Sequence, residues 1–231
     1  MTKPEHTREP QYRLLLDVKK QRGIARLGLM INEAWQQDPK RMLFVLSRYK
    51  FVAKMLSGKK RVLEIGCADA FATRIVQQEV GHVTAIDFDP LFVEDVRERM
   101  DPHWKLDVAL HDIVRDGPMP KTFDAAYSLD VLEHIPPADE GKFVQNTLDS
   151  LTDDGVIVVG TPSLESQTYA SPQSKEGHVN CKSGKSLREL MLRYCENVFV
   201  FSMNDEVVHT GYFPMAHYLF VVGSGKRHPL G

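Results

Sequence analysis

Apolar residues recur at helical spacing through the first quarter of the chain. Leu14, Leu15, Val18, Leu27, Met30 and Ile31 predict a helix over residues 11–35, and Leu43, Phe44, Leu46, Phe51 and Met55 predict a second over 39–56. Asp38-Pro39 supplies an N-cap and a first-turn proline for the second helix. After Gly58 the pattern changes to short apolar runs separated by helical stretches. "RVLEIG", "HVTAID", "KLDVALHDI", "FDAAYSL", "GVIVVG", "NVFVFSM" and "AHYLFVVG" read as seven strands, with helices expected near 70–80, 90–100, 138–151 and 185–194. Alternation of strand and helix implies an α/β fold with a mainly parallel sheet covered on both faces. The last two strands have no helix between them, so they are expected as an antiparallel pair at one edge. The organisation this predicts is an N-terminal helical cap over 1–57, then an α/β domain over 58–231. A polar loop over 162–184, rich in Ser, Gly and Pro, is long enough to serve as a substrate loop.

Composition narrows the class. With 231 residues, 42% hydrophobic, the chain can bury one substantial core. No run approaches the roughly 18 apolar residues of a membrane span, and "MTKPEHTREP" lacks the apolar centre of a signal peptide, so a soluble cytoplasmic protein is expected. Cys67, Cys181 and Cys195 are odd in number and unpaired in spacing, which argues for reduced thiols. The net charge of −2 conceals an asymmetry: through Arg61 there are 15 Lys or Arg against 5 Asp or Glu, and the acidic excess lies beyond. Such basic helices solvate an outer face, dock an anionic substrate, or face an anionic membrane. A net acidic chain without a nucleic-acid module makes nucleic acid an unexpected partner.

In an open parallel sheet, ligands bind beyond the carboxyl ends of the strands. Gly66 ends the first strand and Asp87 the second, at the roughly 20-residue interval that lets an acid reach a ribose held over the first turn. The turn G-C-A-D-A-F lacks the glycines of a pyrophosphate site, and Asp69 at its mouth repels one. With Glu64, that acid suits a ligand bearing an amine or sulfonium. Here the sequence resembles the class I S-adenosylmethionine-dependent methyltransferases, whose first motif is E/D-x-G-x-G-x-G. Glu64, Gly66, Ala68 and Ala70 fall on it, with alanine at both later glycines.

The resemblance implies a Rossmann-like sheet of seven strands with the last reversed, covering residues 58–160 most strongly. It implies S-adenosylmethionine as cofactor, with Asp87 on the ribose, Phe88 beside the adenine, Asp112 on its amino group and Ile113 against the ring. Glu64, Gly66, Cys67, Ala68, Leu129 and Asp130 would surround the methionine end. "FDAAYSLDVLEHIP" matches the fourth motif and contains D-x-x-E-H. In some relatives E-x-x-E-H holds a divalent metal such as magnesium, making Asp130, Glu133, His134 and His178 candidate ligands here. Without a metal, His134 orients a loop and His178 is the candidate general base.

The polar loop and basic helices point to a hydrophilic small-molecule acceptor, with room for an anionic one, such as a sugar, a sugar nucleotide or a phosphate-bearing nucleotide conjugate, methylated on oxygen. The segment "FSMNDEVVHTGYFPMAHYLF" is similar to methyltransferases of bacterial surface-polysaccharide pathways, and Asp205, Glu206, His209, Tyr212 and Phe213 are expected near the active rim. Two alternatives stay open: a membrane-associated O-methyltransferase of quinone precursors with a divalent metal, and a non-catalytic cofactor-binding module.

Overall fold

The computed structural model describes residues 7–227. The N-terminal region forms three helices, α1 (Arg13–Arg22), α2 (Leu29–Gln37) and α3 (Lys40–Met55), after a short 3-10 turn at Pro10–Tyr12. The single helix expected over 11–35 is two: α1 stops at Gly23, whose φ of 77° is left-handed, and α2 begins after Gly28. Asp38 lies two residues before α3, its Oδ1 accepting from the Lys40 amide at 3.3 Å, but the N-cap position falls on Pro39 and not on Asp38 as expected.

Beyond α3 the chain alternates β1 (Arg61–Ile65), α4 (Thr73–Val76), β2 (His82–Asp87), α5 (Pro90–Arg99), β3 (Leu106–Leu110), β4 (Phe123–Leu129), α6 (Glu140–Asp149) and β5 (Leu151–Pro162). Then follow α7 (Pro172–Gly177), α8 (Gly184–Leu192), β6 (Cys195–Asn204), β7 (Val207–His209) and β8 (Tyr218–Lys226). The strands form one sheet in the order β3-β2-β1-β4-β5-β8-β6-β7. β1 to β5 pair in parallel, while β8 runs antiparallel to both β5 and β6. The reversed strand therefore inserts between its neighbours, and an eighth strand, β7, forms the edge beside β6.

Alternate residues of the central strands serve opposite faces. Val62, Ala125 and Val158 pack with Val52 and Leu56 of α3, Val76 of α4 and Val96 of α5. Leu63, Ala126 and Ile157 pack with Phe143 and Leu148 of α6 and Leu187 and Met191 of α8. The strand order reverses direction between β1 and β4, which opens a crevice at their carboxyl ends.

Candidate functional site

A cavity of about 650 Å³ fills that crevice. It is lined by the residues after β1 (66–69), the end of β2 (Asp87 and Phe88), the segment after β3 (111–115), the segment after β4 (Leu129, Asp130, Val131 and His134) and one wall of α2 and α3. Gly66, at φ 72°, leaves no room for a side chain: a Cβ there would lie 2.3 Å from Val131 Cγ2. Ala68 and Ala70 are also left-handed, at φ 45° and 49°. Asp87 braces this turn from β2. Its Oδ2 accepts from the Ala68 amide at 2.8 Å and its Oδ1 from the Asp89 amide at 2.9 Å, and burial raises its pKa.

Most of the cofactor residues named from the sequence meet at this cavity. Gly66, Cys67, Ala68, Asp87, Phe88, Asp112, Ile113, Leu129 and Asp130 all line it. Glu64 does not. It is buried beneath the turn, where Oε1 accepts from Tyr49 Oη at 2.8 Å and Oε2 from Thr73 Oγ1 at 2.6 Å. Burial pushes its pKa up to about 7. Asp69 is not a free acid facing a cation either: Oδ2 accepts from the Ile31 amide at 2.8 Å and Oδ1 from the Phe71 amide at 3.1 Å. The Cys67 thiol is held far from ionisation by burial.

Beyond Asp130 the site turns polar. Asp130 adopts φ 56° and takes both oxygens to Arg48 Nη1, at 2.9 and 2.8 Å. The same guanidinium lies 3.9 Å over the Tyr218 ring. Nothing in the sequence marked Arg48, because its partners are 82 and 170 residues away. His134 lines the cavity, and its Nδ1 donates to the Gly177 carbonyl at 2.8 Å, which leaves Nε2 as the lone-pair nitrogen. His178 does not line the cavity. It stands behind His134, ring centroids 5.2 Å apart, with Nδ1 bonded to Gln167 Oε1 at 2.7 Å; burial and the neighbouring imidazole lower its pKa.

Glu133, His134 and His178 converge, with a potential ligand atom of each within 4.8 Å of the others. Glu133 is 1% exposed, its Oε1 has no hydrogen-bond partner among the described residues, and burial followed by repulsion from Asp130 pushes its pKa up to about 8. Such an orphaned oxygen beside two imidazoles fits a divalent ion. Asp130 is excluded from this group by its pairing with Arg48, so the set is two nitrogens and one oxygen. That chemistry suits manganese, iron or zinc; magnesium prefers an oxygen shell.

The cavity wall also bears on the acceptor's charge. Five aspartates line it against Arg41 and Arg115, which pair with Glu33 at 2.9 Å and Asp112 at 3.4 Å. Among the described residues, both arginines that line the cavity thus have an acidic neighbour. His209, Tyr212 and Phe213 line neither this cavity nor the smaller one beside Arg48: His209 belongs to the edge strand β7, and Phe213 packs against Gly184 of α8. Only Asp205 reaches that smaller cavity, with Phe44 and His217.

Residues 62–155 match a family model described as a methyltransferase domain. Over that stretch the chain is similar to methyltransferase domains. It is 30% identical over 115 residues to the mitochondrial ubiquinone biosynthesis O-methyltransferase of Schizosaccharomyces pombe, an alignment covering 46% of this chain and 39% of that protein. The chain thus spans about two-fifths of that relative's length. Among solved structures, the N-methyltransferase NodS from Bradyrhizobium japonicum WM9 with S-adenosyl-L-homocysteine superposes at TM-score 0.58, 16% identity, over 83% of this chain and 91% of that one. The plantazolicin methyltransferase BpumL, also solved with S-adenosylhomocysteine, gives TM-score 0.63 at 12% identity, over 85% and 89%. At these identities the likeness is one of fold, and both neighbours were solved with S-adenosylhomocysteine bound. Among the described residues no helix is long and apolar enough to cross a membrane.

Proposed function

We propose that this methyltransferase domain moves the methyl group of S-adenosylmethionine to a hydroxyl of a hydrophilic, uncharged small molecule. The observation that carries this reading is one cavity with Asp87 and Asp112 at one end and His134 at the other. Asp87 holds the ribose: each of its oxygens accepts one backbone amide and keeps a further acceptor direction. Asp112 and Ile113 hold the adenine, with Phe88 over its edge. The backbone from Gly66 to Ala68, with Cys67 and Leu129, holds the methionine portion.

Transfer breaks the sulfonium C–S bond as the acceptor O–CH3 bond forms, so the protein's main task is alignment in a cavity with apolar walls. The hydroxyl proton passes to His134 Nε2, the nitrogen left open by the bond to Gly177. His178, through Gln167, fixes the loop that carries Gly177. Five lining aspartates facing two arginines, each already beside an acid, favour an uncharged acceptor over a phosphate-bearing one.

A second reading is favoured by one observation, the converging Glu133, His134 and His178. There the acceptor is a quinone precursor with neighbouring hydroxyls, and those three residues would hold a divalent transition ion, which would supply Lewis-acid activation of a hydroxyl. In that reading His134 is a ligand and no longer the base.

Calorimetry with S-adenosylmethionine, followed by methyl transfer to a panel of sugars, sugar nucleotides and catechols with and without chelator, tests both. Asp87→Ala should weaken cofactor binding about tenfold to a hundredfold, at 1.5 to 3 kcal/mol for a charged hydrogen bond; unchanged affinity removes the ribose assignment. Turnover of sugars that survives chelation supports the first reading, and chelator-sensitive turnover of catechols the second. Tight cofactor binding with no turnover on any acceptor would leave a cofactor-binding module.

A further inference from the structure

Helix α1 buries none of its ten residues. Leu14, Leu15 and Val18 are 67%, 64% and 45% exposed, and at helical spacing they share one arc of about 100°. Tyr12 before the helix and Ile24 after it are 50% and 72% exposed, extending the apolar stripe at both ends. Residues 13–26 carry five cations, Arg13, Lys19, Lys20, Arg22 and Arg26, against the single acid Asp17. The segment is tethered at its end: Arg26 donates to the Glu98 carbonyl at 2.9 Å, and Arg22 lies 3.9 Å from Asp101. Arg13, Lys19 and Lys20 have no ion-pair partner among the described residues.

We propose that α1 is an interfacial helix that docks this domain on an anionic lipid bilayer. A leucine stripe bordered by lysine and arginine, with none of its side chains buried against the body it is attached to, is what such a surface accommodates: the stripe enters the boundary between headgroups and acyl chains, and the cations meet the phosphates. The charge argues against a second copy as the occupant, since a two-fold pairing of this face would set its cations against themselves. Docking also has a geometric consequence for the site. α2 begins six residues after Gly23, and its Met30, half exposed, lines the cavity, so a docked α1 sets that wall beside the lipid. The inference concerns a surface and is independent of which acceptor the cavity takes.

Co-sedimentation of the whole chain with vesicles tests it. Binding to equimolar phosphatidylglycerol and phosphatidylcholine, absent on phosphatidylcholine alone and falling as salt rises, is the expected result. Lys19→Ala with Lys20→Ala should lower partitioning by roughly 25-fold, from about fivefold per cation. Leu14→Glu with Leu15→Glu should abolish it. Both variants should bind S-adenosylmethionine as the parent chain does, because none of these side chains reaches the cavity. Partitioning no stronger on anionic than on neutral vesicles overturns the proposal, as does a dimer in sedimentation velocity that Leu14→Glu dissociates, which would give the face to a second copy.

Discussion

Ala68 and Ala70 hold a backbone shape that a Cβ resists. Both stand at glycine positions of the methyltransferase motif, and both are left-handed, at φ 45° and 49°. In the sequence they register only as small residues that let a ligand approach. The demand they meet is set by φ, which composition does not reveal. The left-handed conformation costs an L-residue about 1 to 2 kcal/mol, of which glycine returns part through its more flexible unfolded chain. Ala68→Gly and Ala70→Gly should therefore each stabilise the fold by about 0.5 to 1 kcal/mol, read as a higher urea midpoint at unchanged slope. Glu64 is a second residue whose role the motif obscured. The spacing marked it as a cofactor contact, yet it lies under the turn between Tyr49 and Thr73 with its pKa pushed up to about 7. A carboxyl raised in the fold binds its proton more tightly there than in the unfolded chain, so its contribution is full below about pH 4.5 and is lost as pH climbs to about 7. That loss amounts to at most about 3 kcal/mol. Urea unfolding between pH 5 and 8 should show the decline in the parent chain and a flatter profile in Glu64→Gln.

Helix ends were legible where the cap is local and hidden where it is not. Asp89 caps α5 locally, accepting from the Leu91 amide at 2.9 Å, and Asp38 accepts from the Lys40 amide although the N-cap of α3 falls on Pro39. α2 has only Gly28 at its N-cap, and no side chain of its own satisfies its first amides. Asp69, 38 residues on, supplies the acceptor to Ile31, and Gly28 is required for that approach because a Cβ there would lie 2.3 Å from Asp69 Cβ. The acid that seemed placed to repel a pyrophosphate is thus also the peg that fastens a cavity wall to the cofactor turn. Asp69→Ala should cost about 1 kcal/mol of stability, the usual value of a lost cap. More telling would be local effects: faster amide hydrogen exchange across residues 29–37 and faster release of S-adenosylmethionine, both restored by Asp69→Asn. Exchange unchanged in that segment would mean that packing of Ile31 and Ala34 holds α2 without the cap.

At the scale of the molecule, alternating strand and helix patterns located the parallel half of the sheet, because β1, β2 and β3 pair in sequence, as do β4 and β5, and only β4 beside β1 crosses over. The order of the last strands was not legible in the same way. β8 lies between β5 and β6, a placement fixed by pairing with residues more than fifty positions away, and β7 is three residues long. The N-terminal helices were read as one cap, yet they divide by burial. α3 sends Val52 and Leu56 into the core, α2 buries Ile31 and Ala34 beside the cavity, and α1 buries nothing. Removing residues 1–27 should therefore change stability by no more than about 0.5 kcal/mol, the range of surface changes, and leave cofactor affinity as it was. Removing residues 1–38 takes α2 as well and exposes the cavity, so cofactor affinity should drop even if the sheet stays folded. Calorimetry on the two truncated chains separates these expectations. If the shorter deletion already weakens the cofactor, α1 must fold back over the cavity when it fills, and its exposed leucines would be the closed state's missing contact.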